Sequence, residues 1–162
     1  MCMLKSSIII YKNILSCYNI FEFTKLLQTK RLSQIMGNKK ILIVDDDDEL
    51  LGLLEKKLIQ EEYDVVKITS GKDAIEKTKK YGPDIILMDI IMPDIDGAEV
   101  ARQLQADSLT RNIPLIFLTG MITKDDKAST KSSLKVGDRE YPAIGKPFTS
   151  QELLDTINRV LG

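Results

Sequence analysis

Residues 83–97 read Pro-Asp-Ile-Ile-Leu-Met-Asp-Ile-Ile-Met-Pro-Asp-Ile-Asp-Gly. The apolar run Ile85–Met88 is too short for a helix and is bounded by Gly82-Pro83-Asp84 on one side and Asp89 on the other, which is the pattern of a strand buried on both faces. Asp96, with Glu99 three residues on, then opens a helix reaching about Ala106. A buried strand followed at once by a capped helix is half of a parallel crossover unit.

The same unit recurs in both directions. Upstream, Ile41–Val44 is a second buried run, and the segment 48–61 places Leu51, Leu54 and Leu58 on one helical face. Val65–Ile68 is a strand, and Ser70-Gly71-Lys72-Asp73 begins a helix that Gly82-Pro83 ends near Lys80. Downstream, Pro114–Leu118 is the fourth strand, Thr123 opens a weak polar helix to about Lys135, and Ala143 and Ile144 belong to a short fifth strand. Thr149-Ser150-Gln151-Glu152 caps a last helix carrying Leu153, Leu154, Ile157, Val160 and Leu161. Five strands, each followed by a helix, predict an α/β fold: a doubly wound five-stranded parallel sheet with helices on both faces.

At 162 residues, 43% hydrophobic and 29% charged, the chain has room for one well-packed domain and the composition of an ordinary globule. Its 23 basic and 24 acidic residues leave a net charge of −1, so no global basic field exists to hold nucleic acid or an anionic membrane. The sequence contains no histidine. A His-ligated zinc site, a Ser/His/Asp or Cys/His triad and a phosphohistidine carrier therefore cannot be built from this chain alone.

The first 36 residues differ from the rest: they hold Lys5, Lys12, Lys25, Lys30 and Arg31 against Glu22 alone, leaving the remainder net −5. Their apolar stretch Ile8–Phe23 is broken by Lys12, Asn13, Asn19 and Glu22, too often for a span of about 20 apolar residues and without the pattern of a signal peptide. Ile10, Ile14, Tyr18 and Phe21 recur at helical spacing, the basis of an amphipathic surface helix, but the favoured reading is a disordered extension or a start codon placed too early, because Met36 directly precedes Gly37 and the first strand. The expected division is an extension over 1–36 and a domain over 37–162. Cys2 and Cys17 both lie in the extension, so the domain has no thiols, which argues against a secreted disulfide framework and for the cytoplasm.

In a doubly wound fold, ligands lie beyond the carboxyl ends of the strands. There the sequence places Asp45–Asp48 after strand one, Asp89 after strand three, Thr119 after strand four and Lys146-Pro147 after strand five. Two carboxylates about 4 Å apart repel by roughly 4 kcal/mol at an effective dielectric near 20, so a cation must offset them. Oxygen-only ligation suits Mg²⁺, which takes one or two protein carboxylates and shares its other positions with water and phosphate. Taken singly these residues mean little, since an acidic run after a strand commonly complements a helix dipole, as expected of Asp47 and Asp48. Their conjunction at four strand ends is specific.

The segments Ile-Leu-Ile-Val-Asp-Asp at 41–46, Pro-Asp-Ile-Ile-Leu-Met-Asp at 83–89, Met-Pro-Asp-Ile-Asp-Gly at 92–97, Leu-Thr-Gly at 118–120 and Gly-Lys-Pro-Phe at 145–148 resemble the receiver domain of two-component response regulators. The resemblance runs from about Lys39 to Gly162. It implies the flavodoxin-like (βα)5 receiver fold and a single-domain, chemotaxis-regulator-like phosphoprotein. By that resemblance Asp89 is the phosphoacceptor, Asp45 and Asp46 hold Mg²⁺ with Asp89 and the Ile91 backbone carbonyl, Thr119 binds the phosphoryl group, and Lys146 pairs with it ahead of a cis Lys146-Pro147 bond. The implied partners are a sensor histidine kinase or histidine phosphotransfer protein as donor, and a downstream protein target. Neither nucleic acid nor membrane is expected. Catalysis would be confined to the protein's own phosphorylation and a slow autodephosphorylation, slow because Ile91 and Met121, two residues beyond Asp89 and Thr119, are apolar and cannot orient a water. Output is expected through the fourth helix, the fifth strand and the last helix, with no attached effector domain. Two departures stand out. Ala143 occupies the usual aromatic position three residues before the lysine, with Tyr141 one step back on the same strand face, and the stretch 137–146 is about two residues longer than usual. The rival readings are a non-phosphorylated receiver-like protein-binding module and, more remotely, a haloacid-dehalogenase-like phosphatase, whose Asp-x-Asp-x-Thr/Val pattern is not met at 45–49.

Overall fold

The computed structural model describes residues 37–120 and 133–162. Lys39–Gly162 forms a compact unit of β1 (Lys40–Val44), α1 (Asp48–Gln60), β2 (Asp64–Ile68), α2 (Gly71–Tyr81), β3 (Ile85–Asp89), α3 (Gly97–Ala106), β4 (Leu115–Thr119), β5 (Ser133–Val136), β6 (Arg139–Gly145) and α4 (Ser150–Leu161). The sheet order is β2-β1-β3-β4-β6-β5. The first five of these strands run parallel, and β5 pairs antiparallel with β6.

Alternation along the three central strands divides the core into two. Leu42 and Val44, Ile86 and Met88, and Leu115 and Phe117 face α2 and α3, meeting Ala74, Val100, Ala101 and Leu104. Ile41 and Ile43, Ile85 and Leu87, and Ile116 and Leu118 face α1 and α4, meeting Leu51, Leu54, Leu58, Leu153 and Ile157. Because both faces are covered, Ile41–Val44, Ile85–Met88 and Leu115–Leu118 are apolar at every position, which makes these strands legible as short runs. Each such side chain contributes about 1.5–3 kcal/mol by leaving water.

The helix ends follow their chemistry. Asp47 accepts from Leu50 N–H at 3.0 Å, Asp96 from Ala98 N–H at 2.7 Å, and Thr149 with Glu152 forms a complete capping box on α4; each cap is worth about 1 kcal/mol. Gly82 ends α2 in the left-handed region at φ 54°, where a side chain would be strained.

The sheet differs from the expected five strands by the added β5. The residues 133–135, read as the end of a polar helix, lie in that strand, and the rest of the predicted helix falls on residues outside those described. Ser133-Leu134-Lys135-Val136 alternates at period two, with Val136 buried and Leu134 half-buried. A two-residue turn, Gly137-Asp138, joins β5 to β6 and pairs Val136 with Arg139; Gly137 takes φ 61°, as a first central hairpin residue must. The fifth strand of the sequence reading is therefore β6, seven residues long.

Candidate functional site

Every parallel strand except β2 delivers a polar residue to the same end of the sheet. β1 runs into Asp45, which is fully buried, its N–H donating to the Ile68 carbonyl at 3.2 Å. The Asp45 carboxylate accepts from Asp47 N–H at 3.0 Å, and the next residue, Asp46, stands in solvent. β3 ends on Asp89, only 7% exposed, with Oδ1 accepting from Ile90 N–H at 2.8 Å. β4 ends on buried Thr119, whose carbonyl accepts from Lys146 N–H at 2.7 Å. The Lys146-Pro147 peptide is cis, as expected.

The side chains converge. Lys146 Nζ lies 2.6 Å from Asp45 Oδ2 and 3.3 Å from Asp89 Oδ2, and one carboxylate oxygen from each of Asp45, Asp46 and Asp89 lies within 4.8 Å of the others. One ammonium thus pairs with two of the three clustered carboxylates, Asp45 and Asp89. Burial pushes the Asp89 carboxyl above its usual range, and the Asp45 charge adds to this against the opposing Lys146. Burial alone would lower the Lys146 pKa; the hydrogen bond and charge of Asp45, together with the Asp89 charge, reverse this and raise it.

An excess of negative charge on an all-oxygen donor set, two of the three members buried, fits a hard divalent cation. Asp45, Asp46 and Asp89 supply the carboxylates. Ile91, two residues past Asp89, is 63% exposed in the loop between β3 and α3, and its backbone carbonyl is the further oxygen that the family resemblance implies.

Two glycine-dependent contacts seat this loop. At Gly97 a Cβ would lie 2.0 Å from the Asp89 carbonyl oxygen, so only glycine lets α3 start against the end of β3; Gly97 N–H donates to Ile90 O at 2.8 Å. At Gly71 a Cβ would lie 2.6 Å from Ile95 Cγ2 and 2.8 Å from Met92 Cε. The capping boxes foreseen for α2 and α3 are half-formed. Ser70 accepts from Asp73 N–H at 3.4 Å, while Glu99 pairs instead with Arg102 and Gln103 on its own helix. Asp94, which sequence reasoning passed over, supplies further caps to α2 from across the loop. Its carboxylate is held at about 2 by the Lys72 N–H hydrogen bond foremost, then by those from Ser70 and Gly71.

Tyr141 and Ala143 lie on the same face of β6, both buried. The Tyr141 ring meets Phe117 edge-on at 5.6 Å and 76°, and the Arg139 guanidinium sits 5.5 Å from its centroid while donating to Arg111 O at 2.7 Å. Tyr141 is therefore a packed core residue beneath an arginine lid.

Comparison with known proteins gives one consistent result. Residues 41–158 match the family model of the response regulator receiver domain. Protein PilH of Pseudomonas aeruginosa is 37% identical over 122 residues, covering 75% of this chain and 97% of PilH. The alkaline phosphatase synthesis transcriptional regulatory protein PhoP of Bacillus subtilis is 34% identical over 124 residues, 76% of this chain, which spans only 49% of PhoP. Among solved structures, the chemotaxis protein CheY4 of Vibrio cholerae superposes with TM-score 0.64 at 28% identity, covering 76% of this chain and 99% of that one. The receiver domain of sensor histidine kinase PA1611 from P. aeruginosa, with a magnesium ion coordinated in its active-site cleft, gives TM-score 0.66 at 28% identity, covering 78% and 99%.

Proposed function

The chain belongs to the response regulator receiver family of two-component signalling, and we propose that it accepts a phosphoryl group on Asp89 from a phosphohistidine of a sensor kinase or phosphotransfer protein and passes the signal to a protein target. The observation that carries this reading is Lys146 Nζ lying between Asp45 and Asp89 at the carboxyl ends of the sheet.

An Asp89 oxygen forms the new bond to phosphorus as the phosphorus–nitrogen bond to the donor histidine breaks, and the electron pair of that bond stays with the imidazole. Such transfer depends mostly on positioning and charge neutralisation. Lys146 already faces the Asp89 carboxylate and needs little movement to pair with the phosphoryl oxygens. Asp45, Asp46, Asp89 and the Ile91 carbonyl would hold Mg²⁺, which when bound supplies the remaining positive charge. Thr119, at the next strand end, is the hydroxyl that binds the phosphoryl group. Its displacement would be felt by β6, because Lys146 N–H is bonded to the Thr119 carbonyl. The chemistry is confined to the protein's own aspartate, and the output is a contact with another protein through β6, α4 and the hairpin. Among the described residues no helix is long and apolar enough to cross a membrane; a cytoplasmic location and a dispensable extension over 1–36 belong to the same proposal.

The test is intact-mass spectrometry after incubation with Mg²⁺ and acetyl phosphate. The parent should gain one phosphoryl group and Asp89→Asn none. Equal labelling of the variant would refute the assignment of Asp89; an unlabelled parent would favour the non-phosphorylated binding module.

A further inference from the structure

Asp94 lies midway along the loop from β3 to α3 and is bonded to a different element. Its Oδ2 accepts from Ser70 Oγ at 2.8 Å and from Lys72 N–H at 3.0 Å, and its Oδ1 accepts from Gly71 N–H at 3.3 Å. The first N–H groups of any helix have no partner within the helix, so a carboxylate arriving from elsewhere is held firmly there by hydrogen bonds and by the helix dipole. Gly71 brings the two surfaces together, since a side chain at that position would meet Ile95 and Met92 of the same loop.

The loop is thereby tied at two points. At one, Gly97 N–H holds the Ile90 carbonyl; at the other, Asp94 holds the start of α2. Between them the side chains of Ile90 and Met92 are buried and that of Ile91 is exposed. The tie also joins the two turns that flank the acidic cluster, because α2 follows β2, whose last carbonyl, that of Ile68, accepts from Asp45 N–H.

We propose that Asp94 is a positioning residue for the acidic site: by clamping the 90–96 loop to the N-terminus of α2 it holds the Ile91 backbone in place as an oxygen ligand beside Asp45, Asp46 and Asp89. The inference rests on the reading of that cluster as a Mg²⁺ site. Asp94 itself touches neither the cation nor the reacting phosphorus, so its removal acts on affinity and leaves the chemical step at saturating Mg²⁺ intact.

The experiment is a Mg²⁺ titration of the unphosphorylated full chain by calorimetry, paired with the Mg²⁺ dependence of acetyl-phosphate labelling. Asp94→Ala should bind Mg²⁺ about tenfold more weakly, the lower end of what residues supporting metal ligands contribute. Its labelling rate at saturating Mg²⁺ should stay within about twofold of the parent, since ordering of the loop is then restored by mass action. Asp94→Asn keeps one acceptor oxygen and should recover part of the affinity. Ser70→Ala removes one donor of three and should fall between Asp94→Asn and the parent, which keeps the test open if Asp94→Ala folds poorly. Leu58→Ala, which weakens the domain from the opposite face, should leave Mg²⁺ binding unchanged. Parent-like affinity in both Asp94 variants, or an equal loss in Leu58→Ala, would overturn the inference. A parent that binds no Mg²⁺ would instead overturn the reading of the acidic cluster itself.

Discussion

Neutralising Asp89 should make the protein more stable. At an effective dielectric near 20, Lys146 at 3.3 Å attracts the Asp89 carboxylate by about 5 kcal/mol, and Asp45, no more than 4.8 Å away, repels it by at least about 3.5 kcal/mol. Asp46 adds further repulsion, weakened by its exposure to water. The charge terms nearly cancel, so the burial cost of the carboxylate decides, only partly relieved by the Ile90 N–H bond. Asp89→Asn keeps an acceptor for that N–H and removes the charge, which should stabilise the protein by about 1–2 kcal/mol at neutral pH in chelator. For a domain of this size that is a rise of about 4–8 °C in melting temperature. The sign of the pH dependence follows from the raised folded pKa. Stability carried by the neutral acid is fully present below the unfolded value, about 3.9, and is lost as pH rises through the folded value. The advantage of the variant should therefore shrink to nothing as pH falls below about 4, and Mg²⁺ should narrow it at pH 7 by binding the parent more tightly. Thermal unfolding followed by circular dichroism in EDTA, across that pH range and with added Mg²⁺, measures all three effects. A variant no more stable than the parent at pH 7 in EDTA would refute the reasoning.

Lys146→Met, which strands the buried Asp45 carboxylate, should cost about 3 kcal/mol in urea unfolding at pH 7. Because the Lys146 pKa is raised by its carboxylate partners, its contribution in the parent should persist from neutral pH up to the unfolded lysine value of about 10.4 and be lost as pH rises through the folded value; a loss already at pH 8 would contradict the pairing. Gly97→Ala should destabilise by about 3 kcal/mol, the top of the overpacking range, because its Cβ would meet the Asp89 carbonyl at 2.0 Å; an unchanged urea midpoint would show that α3 can shift freely. The aspartyl phosphate should decay slowly, and Ile91→Asn with Met121→Glu should hasten decay about tenfold by orienting water; equal decay of the purified parent and the double variant would remove these two residues as the control.

The parts of the fold that the sequence displays are those where burial is two-sided. Ile41–Val44, Ile85–Met88 and Leu115–Leu118 are apolar at every position because helices cover both faces, and each run stops where a polar residue enters the site. Asp45, Asp89 and Thr119 were legible for that reason, and Lys146 because the same topology ends β6 beside β4. β5 was not legible. Its four residues bury only Val136 fully, and its one strong signal, a glycine turn, precedes a strand that was read too short. Pro142, which lacks an N–H, interrupts the strand signal of β6. The Asp94 clamp is a contact between residues 22–24 positions apart and leaves no periodic trace. Tyr141 and Ala143 sharing a strand face followed directly from period two.

The handover along β6 has a mechanical consequence. Residues 139–142 pair with β5, whereas 143–145 pair with β4, so one unbroken strand is gripped by the hairpin over its first half and by the parallel sheet over its second, with Lys146 at its far end. Such a strand would carry a displacement at one end to the other. A protein that grasped the hairpin more tightly in the phosphorylated state would, by thermodynamic reciprocity, favour phosphorylation to the same degree that phosphorylation favours its own binding. The target of the signal would then also help set how much of the protein carries the phosphoryl group at equilibrium.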